Sequence, residues 1–67
     1  MKVEIVLRQP GNHHVIWNGE LPDVPRVGEL VAICGDNGFE QSHNVHSIDW
    51  LIYTDGTAPI ARVKVGP

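Results

Sequence analysis

The stretch Leu21-Pro22-Asp23-Val24-Pro25-Arg26-Val27-Gly28 does most to limit the folds open to this chain. Two prolines three residues apart, followed by a glycine, withdraw backbone donors and fix φ where a helix would need an unbroken ladder, so no helix runs through this region. On both sides of it, apolar residues recur with a period of two. The chain therefore reads as strands joined by shaped loops.

Lys2 to Gln9 sets Val3, Ile5 and Leu7 against Lys2, Glu4 and Arg8, the pattern of a half-buried strand, with Val6 as the one apolar residue on the polar side. Pro10-Gly11-Asn12 supplies a turn, and His13 to Glu20 returns as a second strand carrying Val15, Ile16 and Trp17. Beyond the proline loop, Glu29 to Cys34 is short and almost wholly apolar, as in a strand covered on both faces or placed at an oligomer contact. Gly35-Asp36-Asn37-Gly38 turns the chain again. Phe39 to Tyr53 is too long for one straight strand, so Gln41 to Asn44 is expected as a bulge, bend or loop before a strand from Val45 to Tyr53. After Thr54-Asp55-Gly56-Thr57, Ala61, Val63 and Val65 alternate with Ile60, Arg62 and Lys64.

The expected fold class is thus all-β: five strands paired with their sequence neighbours in an antiparallel meander that curls into a small barrel and so hides its edges. Its predicted core holds Val3, Ile5, Leu7, Ile33, Ile48, Trp50, Ile52, Val63 and Val65. Either Ile16 or Trp17, and either Leu30 or Val31, completes it, because a slip of one residue exchanges the two faces of a strand.

A chain of 67 residues makes one domain, 1–67, near the lower limit for a self-sufficient core, since a chain this short buries only about 60% of its unfolded surface. Cys34 is the only cysteine, which excludes a disulfide within the chain and suits a reducing cytoplasm. No apolar run approaches the roughly 20 residues of a membrane helix, so the expectation is a soluble cytoplasmic protein with no membrane partner. The formal charge is −3, and the five cations Lys2, Arg8, Arg26, Arg62 and Lys64 are dispersed along the sequence. That argues against a nucleic-acid partner, whose affinity rests on a joined basic stripe. Val6, Leu51, Ile60 and one member each of Val15/Ile16 and Leu30/Val31 are more apolar residues than so small a barrel can enclose. Self-association, with a dimer favoured, is the expected outcome.

Three motifs carry a resemblance. Leu21-Pro22-x-x-Pro25-Arg26-x-Gly28-Glu29-x-Val31, then Val45-x-x-Ile48-x-Trp50, then Ala61-x-Val63-x-Val65, over the C-terminal two-thirds of the chain, resemble the short SH3-like β-barrel hypothetical proteins of phages, plasmids and integron gene cassettes. The resemblance implies an SH3-like barrel and an origin in a mobile genetic element, and supplies no catalytic residues. The plasmid-encoded dihydrofolate reductase is a related barrel, but its Val-Gln-Ile-Tyr pore motif is missing here; the nearest string, Trp50-Leu51-Ile52-Tyr53, lacks the glutamine.

Few residues point to chemistry. His43-x-x-His46 with Asp49 offers two imidazoles and a carboxylate, a donor set for zinc or nickel, but residues three apart on a strand face opposite sides unless a bulge intervenes. Cys34 ends an apolar run beside the acidic turn at Asp36, a setting for buried packing and not for an activated thiolate. Gly35 to Gly38 lacks the lysine and following helix of a phosphate loop. The sequence therefore implies no catalytic residue and no cofactor. Its reading is a non-enzymatic binding module for a protein or small molecule, with Trp17, Tyr53 and the rim loops containing Asn12, His13 and His43 as contacts. The alternative is a small-ligand or metal-dependent site built at an oligomer interface from His43, His46 and Asp49.

Overall fold

The computed structural model describes residues 1–66; Pro67, the last residue of the expected 1–67 domain, lies outside them. All regular structure among the described residues is β: β1 (Lys2–Gln9), β2 (Asn12–Glu20), β3 (Leu30–Cys34), β4 (Glu40–Leu51) and β5 (Ile60–Val65). They form one curled sheet in the order β2-β1-β5-β4-β3, a half-barrel of the small SH3-like kind that the resemblance implies.

The pairing is mixed, which corrects the expected antiparallel meander. β1–β2, β3–β4 and β4–β5 are antiparallel neighbours, but β5 runs parallel to β1, with Val3, Ile5 and Leu7 in register with Ala61, Val63 and Val65. The proline loop explains the change. The Gly28 amide donates to the Val45 carbonyl at 3.0 Å and the Val45 amide donates to the Glu29 carbonyl at 2.8 Å, so the loop docks on β4 and delivers β3 to the far edge of the sheet. β1 is left with an open edge, and β5 fills it. Inside the loop the Glu29 carboxylate accepts from the Arg26 amide, and Gly28 takes φ of 92°, a conformation costly for any residue with a Cβ.

Burial centres on that parallel pair. Val3, Ala61, Val63 and Val65 are wholly enclosed, with Ile5 and Val45 beside them. Val45 and Ala61 join the expected core, while Trp50 and Ile52 leave it, at 53% and 69% exposed; of the alternatives Leu30 and Val31, it is Val31 that packs inward. Trp50 does start from the core side, opposite Ala61, because an extra residue between Val45 and Ser47 puts Val45, Ile48 and Trp50 on one face. That irregularity lies at His46 and not between Gln41 and Asn44, which pair regularly with β3. β3 covers β4 only from Glu40 to Asn44, so nothing encloses Trp50. Val6 is buried despite facing outward, in register between Val15 and Lys64.

Candidate functional site

Curling brings the two edge strands, β2 and β3, to opposite sides of an open seam. They do not pair. Between them lies a cavity of about 260 Å³ with Ile5 at its base, Trp17 and Leu21 on the β2 side, and Val31, Ile33 and Cys34 on the β3 side. Its lining is mostly apolar, so a ligand entering it gains chiefly from apolar burial. Trp17 is held across Gly19: a Cβ built on that glycine would stand 2.9 Å from the indole Cζ2. The absence of a side chain at Gly19 is what lets the ring lie flat along β2 and wall the cavity.

β3 shows its free side to the same seam. Among the described residues it pairs with β4 alone, so alternate backbone N–H and C=O groups on its other edge lack a strand partner. The exposed row from β3 is Leu30, Ala32 and Cys34, whereas Val31 and Ile33 pack against the core. Cys34 is exposed, correcting its expected burial; it ends an edge strand and not an interior one.

The residues predicted as one contact set are dispersed. Asn12 and His13 flank a shallow depression with Gln9 and Gly11 at the β1–β2 turn. Trp17 lines the seam cavity. His43 is half-buried in register with Val31, and Tyr53 is exposed beyond the end of β4. His43, His46 and Asp49 are not gathered either: no group of three histidine, cysteine, aspartate or glutamate side chains able to hold a metal ion occurs among the described residues. His43 shares its face with Val45 at period two, His46 is the extra residue of the bulge, and Asp49 faces outward opposite Arg62.

On the outer face two ion pairs form. The Arg62 Nε donates to Glu4 Oε1 at 3.0 Å, and Lys64 Nζ donates to Asp49 Oδ2 at 2.8 Å. The hydrogen bond from Lys64 holds the Asp49 carboxyl below its ordinary value against a small cost of desolvation, and the charges of Lys64, Arg62 and His13 act in the same direction. Asp55 is lowered likewise by hydrogen bonds from the Thr57 hydroxyl and amide, the latter at 2.9 Å. Arg62 and Lys64 are thus engaged by carboxylates, while Lys2 and Arg8, on the same face of β1, are exposed.

Sequence reasoning missed Ile5, Leu21, Val31, Ile33 and Cys34 as lining residues because it paired β2 with β3 and so closed the seam. The available signal was the length of the loop from Leu21 to Glu29, which is longer than a hairpin between neighbouring strands requires. Among the described residues no helix is long and apolar enough to cross a membrane. Compared with known proteins, the chain matches no family model, no curated protein and no solved structure.

Proposed function

We propose that this protein is a small non-enzymatic binding module that acts as a homodimer and holds a protein or small-molecule partner at the seam between β2 and β3. The observation carrying the reading is the seam cavity, where apolar side chains from two edge strands that do not pair with each other converge beside Trp17. A small barrel gains little by leaving such a surface wet unless something covers it. Dimerisation rests on a second surface: Trp50, Ile52 and Tyr53 follow one another at 53%, 69% and 40% exposure where β4 has passed the end of β3. The lone exposed thiol of Cys34 fits a reducing cytoplasm, and the order of the three motifs supports an origin in a mobile genetic element.

Two measurements test the reading. Light scattering should give a dimer that Trp50→Arg converts to a monomer; a monomeric wild type at every concentration refutes the dimer. Affinity capture from a cell lysate should retain a partner that is lost when Cys34, at the cavity wall, carries a bulky maleimide adduct. Equal capture by both baits removes the seam as the binding site.

A further inference from the structure

Resting on that reading of the seam, the distribution of charge around β3 selects a partner. From Asp23 to Glu40, which spans the proline loop, β3 and the turn after it, the chain carries Asp23, Glu29, Asp36 and Glu40 against the single cation Arg26. The whole formal charge of −3 is therefore in this segment. Elsewhere Lys2, Arg8, Arg62 and Lys64 balance Glu4, Glu20, Asp49 and Asp55, and three of those acids are bonded to cations: Glu4 to Arg62, Asp49 to Lys64 and Glu20 to the N-terminal ammonium. Glu29 immediately precedes β3 and Asp36 follows it by two residues, so negative charge brackets a neutral, apolar strand whose outer edge has no partner.

We propose that the free edge of β3 binds an extended peptide strand with an apolar centre flanked by lysine or arginine. The peptide backbone completes the unpaired groups of β3, one apolar side chain enters the cavity between Trp17 and Val31, and the flanking cations meet the carboxylates at either end. β3 carries neither the lysine nor the proline with which an exposed edge is commonly blocked. A second copy of the same chain fits less well: β3 set antiparallel to itself about Ala32 would bring Glu29 beside the partner's acidic turn, placing like charges together.

The experiment uses the intact protein and fluorescein-labelled, end-capped peptides of about nine residues, long enough to match a strand. One has alternating valine and threonine at its centre and lysines at both ends. A second replaces the lysines with glutamates, and a third keeps the lysines but is N-methylated at alternate backbone nitrogens. Fluorescence anisotropy should show saturable binding of the lysine peptide, weakened about tenfold or more in each of the other two and reduced by added salt. Equal binding of the glutamate or N-methylated peptide, or no binding of any, overturns the inference. Cross-linking of two copies through Ala32→Cys in a Cys34→Ser background, with exclusion of the lysine peptide, assigns the edge to self-pairing and overturns it too. Because dimer formation and seam-dependent capture are measured separately, a failed peptide leaves the binding-module reading standing if those two survive.

Discussion

Trp17 lies across Gly19 on the same face of β2, so close that a Cβ on the glycine would meet the indole at 2.9 Å. One small residue thereby sets the position of the largest side chain at the seam. Gly19→Ala must push the ring away from the strand and toward water, at a cost of about 1 kcal/mol. In a Trp50→Phe background, where Trp17 is the only fluorophore of its kind, its emission should shift to the red; an unchanged spectrum refutes the packing.

The core lies along the β1–β5 pair and away from the end of β4. Val63→Ala, at a fully enclosed position, should lower stability by about 2 kcal/mol, whereas Phe39→Ala, at an exposed turn, should change it by less than about 0.5 kcal/mol. Urea denaturation of both variants distinguishes this arrangement from a core centred on Trp50.

Gly28 has φ of 92° and open space where a Cβ would go, so any cost of Gly28→Ala is one of backbone conformation and not of collision. A loss of about 1–2 kcal/mol is expected, with β3 most affected because Gly28 and Glu29 tie the loop to Val45. Hydrogen exchange at β3 amides should rise more than at β1 amides.

The ion pair between Asp49 and Lys64 makes part of the acid stability depend on this carboxylate. Its folded pKa lies below the ordinary value because of the hydrogen bond from Lys64, so the folded state releases this proton more readily than the unfolded chain does. The stabilisation is fully present above the ordinary value of 3.8 and fades as the pH falls through the lower folded value. Thermal melts of wild type and Asp49→Asn should differ at neutral pH and converge in acid below that range; a constant gap would place the effect outside this titration.

Cys34 should react with a maleimide in the folded protein without denaturant, since it is exposed at the end of an edge strand. Reaction only after unfolding would return it to the interior.

Period-two alternation in Lys2–Gln9 and Ile60–Val65 made β1 and β5 and their buried faces legible, because strand side chains alternate whatever lies beyond the strand. The turns at Gly11, Gly38 and Gly56 were legible for an equally local reason: each glycine takes a positive φ that its turn demands. The candidate site was legible only at Trp17. Its other walls come from residues far apart in sequence, and the expected rim of Asn12, His13 and His43 is split between the β1–β2 turn and β4.

The five strands of the described residues, their tight turns and their alternating apolar positions are readable along the chain, since they depend on backbone sterics and near neighbours. Which strands meet depends on contacts between segments far apart in the chain. The hydrogen bonds of Gly28 and Glu29 to Val45 carry β3 past β2, give β1 a parallel partner in β5 and leave the seam open. Strand pairing is settled by long-range closure, where backbone edges compete for partners, and no local pattern encodes the winner.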